Sequence, residues 1–298
     1  MGINVITALG DGSIRLWTRK GKAIGQPWCN DGGVVKSLAV SPDGTLVISG
    51  GVDGRIRLWN IKEGRVIGKP WEGHNAAVRC LDWSPTGQEI VSGSLDSTIQ
   101  RWNPDTGRRI ALPIETGQCW LYAVKYSPQG DKFACCSSDG KIRVWSIGGE
   151  LILEVKHENI EKWAMALCWS KDGTYIFSGS TDGNVRKWRL IDGAELVVFR
   201  GHTNPITSLC LSLDGCHLMS GSEDRSIRIW DLRSDQLLGE PLLHDDELLT
   251  LAMSPDGKYM ASAGSDKRIY MWDLEAALKW CDNQVRLHIY LASQPHIL

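Results

Sequence analysis

AVRCLDWSPTGQEIVSGSLDSTIQRWN, residues 77–103, alternates short apolar runs with turn-forming clusters. AVRCLDWS (77–84) suits a strand buried on both faces. SPTG (84–87) is a turn, in which proline presets φ and glycine is free to take a positive φ. QEIVSGS (88–94) gives a second strand, LDST (95–98) a second turn, and TIQRWN (98–103) a third strand that reaches Trp102. Asp105-Thr106-Gly107 then turns the chain into a weaker fourth strand, RRIALPI. Four antiparallel strands of this length cannot bury both faces alone. Stacked around an axis, each sheet covers the next.

The unit recurs along the chain. Trp17, Trp59, Trp102, Trp145, Trp188, Trp230 and Trp272 are spaced by 42, 43, 43, 43, 42 and 42 residues. Each lies six residues after an aspartate: Asp11, Asp53, Asp96, Asp139, Asp182, Asp224 and Asp266. The first turn recurs six times, as SPDG (41–44), SPTG (84–87), SPQG (127–130), SKDG (170–173), SLDG (212–215) and SPDG (254–257). A period of this length with a fixed Asp-to-Trp offset predicts an all-β, seven-bladed propeller of four-stranded antiparallel blades. One closed repeat array can use the whole length as a single domain.

Composition narrows the function. The 298 residues carry 33 basic and 35 acidic side chains, a formal charge of −2, so no basic field points to nucleic acid. No apolar run approaches the ~20 residues of a membrane-spanning helix. The nine cysteines are odd in number and form no C-x-x-C pair. They read as reduced thiols acting as small hydrophobes, which predicts a cytoplasmic protein. The seven histidines show no ligand spacing and the glycines form no phosphate-binding loop, so neither metal nor cofactor is expected.

These repeats resemble the WD-repeat family over residues 3–274. The terminal Trp-Asp pair is literal at Trp230-Asp231 and Trp272-Asp273, while Thr18, Asn60, Asn103, Ser146 and Arg189 replace the aspartate elsewhere. The style of the IGQPW and IGKPWEGH stretches is similar to repeats of bacterial, particularly cyanobacterial, proteins. The resemblance implies a buried tetrad in each blade: a His before the first strand, a Ser or Thr in the second, the turn Asp, and the Trp. Three copies are complete by register: His74–Ser92–Asp96–Trp102, His202–Ser220–Asp224–Trp230 and His244–Ser262–Asp266–Trp272.

His, Ser and Asp together could also suggest a catalytic triad. A constellation used three times at a fixed period reads as scaffold instead, since buried indole, hydroxyl and imidazole groups need partners. Other repeats depart from the set. Asp31 and Gly117 occupy the His register, His157 lies three residues early, Cys135 replaces the Ser, and Thr7 substitutes for it in the first repeat. The blades of Trp59 and Trp145 are therefore expected to be less rigid.

The resemblance places binding on the top rim. Three residues after the His register stand Val34, Ala77, Trp120, Trp163, Pro205 and Glu247. One residue before each turn aspartate stand Gly10, Val52, Leu95, Ser138, Thr181, Glu223 and Ser265. Trp120 and Trp163 occupy equivalent positions in consecutive blades, edged by Glu161 and Lys162. Exposed aromatics are favoured anchors; the opposing expectation is that each ring caps its own blade. Glu223, Asp245, Asp246 and Glu247 form an acidic arc, or simply a solvated rim. The Pro27-Trp28 and Pro70-Trp71 pairs read as outer-edge packing.

The ends do not match. Only six first strands are found, near 34–41, 77–84, 120–127, 163–170, 205–212 and 247–254, so the first blade is expected to lack its innermost strand. The propeller is assigned to residues 1–274 and a tail to 275–298, where EAALKWCD is helix-prone and VRLHIYLA suits a strand. Either the tail supplies the missing strand and closes the ring, or the chain is the C-terminal part of a longer protein and ends in a packed helix; the short spacing leaves little room for a fourth strand and favours the second. The functional expectation is a monomeric, non-catalytic scaffold that binds a protein or peptide on the top rim, with no nucleic-acid or membrane partner. The alternative is the C-terminal sensor region of a larger signalling ATPase or kinase.

Overall fold

The computed structural model describes residues 4–156, 162–283 and 289–293. Its strands form seven antiparallel sheets, the blades of a propeller. Blade one has three strands among the described residues, Asn4–Ala8, Ile14–Thr18 and Ala23–Trp28. Blade two has Val35–Val40, Leu46–Gly51, Ile56–Asn60 and Arg65–Trp71. Blade three has Val78–Trp83, Ile90–Ser94 and Thr98–Asn103, with its fourth position split into Arg108–Arg109 and Ile114–Glu115. Blade four has Leu121–Tyr126, Lys132–Ser137, Lys141–Ser146 and Leu151–Lys156. Blade five has Ala164–Trp169, Tyr175–Ser180, Val185–Arg189 and Glu195–Phe199. Blade six has Ile206–Leu211, His217–Ser222 and Ser226–Asp231, again with a split fourth position. Blade seven has Leu248–Met253, Tyr259–Gly264, Arg268–Asp273 and Ile289–Ser293.

The chain forms two compact units, one of residues 6–16 and 23–164, the other of 1–5, 17–22 and 165–298. Within each, blades pack through one recurrent contact. A Cβ added at Gly50 would lie 2.5 Å from Val78 of the next blade and 3.1 Å from Leu81. Gly179 meets Ile206 and Leu209, and Gly221 meets Leu248 and Leu251, in the same way. The glycine in the second strand therefore makes room for the first and fourth residues of the following first strand. Blade four reverses the sizes: Cys136 stands at the glycine position and the small Ala164 opens the next strand, both fully buried.

The turns form as their residues predict. In SPDG, Gly44 takes φ +71°, and the Ser41 hydroxyl both donates to Asp43 at 2.5 Å and accepts from the Leu46 N–H at 2.9 Å. These bonds close the turn with its own side chains.

The last blade differs from expectation. Asp273 caps a helix, Leu274–Asn283, by accepting from the Ala276 N–H at 3.0 Å, and Leu274 and Ala277 bury against the blade. The chain then returns, and Ile289–Ser293 pairs with Arg268–Asp273. Helix and strand are thus both present. The fourth strand is delayed by the helix rather than crowded out, and it completes blade seven, not blade one. Val285 and Leu287 lie outside the described residues.

Candidate functional site

The tetrads are built on blade packing. In blade three the Trp102 indole N–H donates to the Ser92 hydroxyl at 2.8 Å, and that hydroxyl lies 2.7 Å from His74 Nε2. His74 Nδ1 lies 2.9 Å from Asp96. Asp96 also accepts from the Asn75 and Thr98 N–H groups at 2.8 and 2.9 Å. Donors and acceptors match along the whole chain when the imidazole proton sits on Nδ1. Blade six repeats it: Trp230 to Ser220 at 2.8 Å, Ser220 to His202 at 2.8 Å, His202 to Asp224 at 2.8 Å. Burial pushes both carboxyls up, but the hydrogen bonds and charge of the histidine side outweigh it. Asp96 and Asp224 sit well below the ordinary carboxylate range.

The third set is not a closed tetrad. Trp272 donates to Ser262 at 2.7 Å, and Ser262 meets His244 Nε2 at 2.7 Å. His244 Nδ1, however, finds no hydrogen-bond partner among the described residues. The carboxylate Oδ2 of Asp266 accepts instead from the Tyr270 hydroxyl at 2.6 Å, and the Tyr270 ring lies 4.0 Å from the imidazole. Burial outweighs the attraction of Asp266 and Asp245 and lowers His244 to about 4.

In blades without the histidine, an arginine takes its place. Arg57 binds Asp53 at 2.7 Å, Arg143 binds Asp139 at 2.5 Å, and Arg186 binds Asp182 at 2.6 Å. All three arginine side chains are largely buried. A Cβ at Gly32, beside the histidine register, would strike both Asp53 and the Arg57 guanidinium. The guanidinium fills the histidine's space in blade two. In blade four Cys135 replaces the serine, and the Trp145 indole N–H finds no hydrogen-bond partner among the described residues. Arg57, Arg143 and Arg186 all stand four residues after the turn aspartate, but so does Arg228 in blade six, which keeps its histidine, so the position alone did not mark the exchange.

The two series of rim residues prove to be bonded partners. In five of the repeats the residue before the turn aspartate donates its N–H to the carbonyl three residues after the histidine register. Val52 pairs so with Val34, Leu95 with Ala77, and Ser138 with Trp120, at 2.9 to 3.0 Å. In the other unit Glu223 pairs with Pro205 and Ser265 with Glu247, at 2.8 to 3.0 Å.

Trp120 is 56 % exposed, although Leu121 beside it is fully buried. Its own N–H also donates to the Ser138 hydroxyl at 2.9 Å, so its backbone is held twice. Two residues on, Gly140 packs under the Lys162 carbonyl, 3.3 Å from where a Cβ would stand. Trp120 and Trp163 thus flank one turn of blade four. Trp163 and Lys162 are half-buried, and Glu161 and His157 lie outside the described residues.

The acidic residues of blades six and seven also converge. Burial and the charge of Glu247 hold Glu223 above the ordinary carboxylate range. Asp245 pairs with Arg268, and Asp246 accepts from the Glu247 N–H at 2.8 Å, which leaves Glu223 and Glu247 as the facing pair. Among the described residues no acidic, histidine or cysteine group could hold a metal ion, and no helix is long and apolar enough to cross a membrane.

Comparison with family models matches the WD domain, G-beta repeat, at residues 25–60, 65–103, 112–146, 151–189, 193–231 and 238–273. The chain belongs to the WD40 family. Each matched stretch ends one residue after a repeat tryptophan, at the end of a third strand, so each combines the last strand of one sheet with the first three of the next. No curated protein matches this WD40 chain.

Proposed function

We propose that this WD40 propeller is a non-catalytic interaction scaffold that holds a protein or peptide at the rim around Trp120. The observation that carries the reading is a large aromatic side chain, more than half exposed, on a backbone fixed at both polar groups by Ser138. An exposed but pre-ordered indole offers contact area at little entropic cost. Trp163 widens the patch across the Asp139-Gly140 turn, and Lys162 edges it with charge. His, Ser and Asp are consumed in scaffold bonds and supply no separate nucleophile and base.

The test is capture by the isolated chain, with bound proteins identified and then reassayed purified. Trp120→Ala with Trp163→Ala should reduce affinity at least tenfold, as expected when ~2 kcal/mol per hot-spot ring is lost. Unchanged binding by a folded double variant moves the site to a second candidate, the Glu223–Glu247 pair. There the raised carboxyl marks crowded negative charge suited to a cationic segment. Neutralising Glu247 would then weaken binding in a salt-dependent way.

A further inference from the structure

In two blades the second residue of the first strand reaches the first strand of the next blade. In blade six the Thr207 hydroxyl donates to the Leu248 carbonyl at 2.8 Å. In blade three the Arg79 guanidinium lies over the ring of Tyr122, 5.3 Å from its centroid. One blade back the same position is Lys36, exposed near the start of Val35–Val40, a strand packed beside Val78–Trp83. Blades two, three and four thus carry a lysine, an arginine and a tyrosine here, whereas the later blades carry Met165, Thr207 and Leu249. Lys36, Arg79, Tyr122 and Trp120 belong to one compact unit. Trp120 immediately precedes the first strand of blade four, two residues from Tyr122.

Charge further along the same strands is matched. Asp82, the fifth residue of its strand, accepts from the Lys125 ammonium at 2.9 Å and from the Tyr126 N–H at 2.9 Å. Among the described residues, Lys36 and Arg79 have no carboxylate at ion-pair distance. The turn aspartates of these blades are spent, Asp53 on Arg57, Asp96 on His74 and Asp139 on Arg143. At the rim above, Val34, Ala77 and Trp120 are bonded to Val52, Leu95 and Ser138, and none of the six carries a charge. Two cations on adjacent strands with no matching acid make a positive local potential that draws an anion. The guanidinium rests on the tyrosine ring, so its fork is ordered before a carboxylate arrives.

We propose that the partner segment is acidic and sets its carboxylates on Arg79 and Lys36. The inference rests on the rim reading for its apolar contact at Trp120, and adds the charge of the partner. The segment crosses the starts of three first strands, from blade two to blade four. Its carboxylates lie over the two cations and an apolar side chain meets the indole. An acidic peptide fits this strip better than nucleic acid does. Binding a phosphate chain draws on many cations, and the formal charge of this chain is −2.

The test uses the whole chain and two labelled synthetic peptides, EELLEE and KKLLKK, read by fluorescence anisotropy. EELLEE should bind saturably with a Kd below about 1 mM at low salt, and should be released as ionic strength rises. Lys36→Gln with Arg79→Gln should weaken it by at least about tenfold. Lys36→Gln alone, at an exposed site, is the milder second variant, and circular dichroism checks the fold of both. Arg108→Gln with Arg109→Gln removes the same charge from the exposed outer edge of blade three and should leave the affinity within about twofold. Trp120→Ala separates the two readings. Binding lost in the Lys36 and Arg79 variant but kept in Trp120→Ala supports the acidic partner and removes the aromatic anchor. Binding lost in Trp120→Ala but kept in a folded Lys36 and Arg79 variant overturns the inference and leaves the rim reading standing. No saturable binding of EELLEE, or an equal loss in the Arg108 and Arg109 variant, overturns it too. Tighter binding of KKLLKK places the site at Glu223 and Glu247, and overturns it. A labelled oligothymidylate that binds more tightly than EELLEE makes the partner a nucleic acid, and also overturns it.

Discussion

Blade three and blade seven hold the same four residue types at the same register and bond them differently. In blade three the chain of bonds runs from indole to carboxylate without a break. In blade seven it stops at His244, because Tyr270 has reached the carboxylate first. The position that decides is four residues after the aspartate, Gln100 in one blade and Tyr270 in the other. Gln100 donates past the ring to the Gly73 carbonyl at 2.9 Å and leaves the carboxylate to the imidazole. The blades differ at their outer edges too. Blade three closes with local strands at Arg108–Arg109 and Ile114–Glu115, whereas blade seven waits for a strand beyond a helix. A repeat can keep its motif letters and lose its motif bonds.

The outer edge should give the largest effect. Deleting 275–298 removes both the helix that buries Leu274 and Ala277 and the strand on Arg268–Asp273. The truncated chain should aggregate, or melt lower by on the order of 10 °C, as a loss of a few kcal/mol implies at this length. Size exclusion and a melting curve check it. A monomer with unchanged Tm would show that blade seven is as self-sufficient as blade three.

Next come the carboxylates. Asp96→Ala or Asp224→Ala leaves a buried imidazole proton and two backbone N–H groups unpaired, a loss of ~1–3 kcal/mol. Asp266→Ala strands no imidazole proton, so its cost should be the smallest of the three. Chemical denaturation of the three variants ranks them. Equal costs would mean that the bond to histidine contributes nothing and the turn alone counts.

Acid should separate the blades further. His244 is lowered from its ordinary 6.5 to about 4. Between those values the unfolded chain binds a proton that the folded chain refuses. Stability is therefore intact above 6.5 and falls as pH drops toward 4, by up to ~1.4 kcal/mol per pH unit. The carboxylates act lower: depressed Asp96 and Asp224 contribute stability above about 3.8, lost as pH falls below it. His244→Gln should flatten the upper limb of the Tm–pH curve and leave the lower limb in place. A curve of unchanged shape would remove His244 as its cause.

Much of this molecule was legible as period, and what was missed lay in side-chain competition. The Asp-to-Trp offset located all seven sheets, because it marks a turn and a strand end that backbone geometry fixes locally. The same register aligned two further series of residues, and the structure bonds members of them in pairs, Ser138 to Trp120 and Glu223 to Pro205. The failure of the third tetrad was hidden because a register shows which residues can meet, not which partner wins. The arginines at Arg57, Arg143 and Arg186 were overlooked since they were sought as histidines. The last strand was seen in VRLHIYLA as one of two alternatives, and it was not assigned to blade seven because a helical insertion breaks the period that located the others.

The smallest predicted effect isolates the single residue behind the comparison. Tyr270→Phe keeps the ring that lies tilted against His244 and removes only the hydroxyl on Asp266. The freed carboxylate oxygen can then turn to His244 Nδ1, as Asp96 does to His74. One hydrogen bond is lost and one gained, so stability near pH 7 should change by less than ~1 kcal/mol. The titration of His244 should move much more. With a carboxylate accepting from Nδ1 the charged imidazole is favoured, and its pKa should rise from about 4 toward the ordinary value. The acid-sensitive limb between 4 and 6.5 should shrink with it. Proton-detected titration of the histidine, alongside melting at pH 5 and 7, measures both. If His244 still titrates near 4 in the Phe variant, the backbone of blade seven, not the tyrosine hydroxyl, keeps the two groups apart.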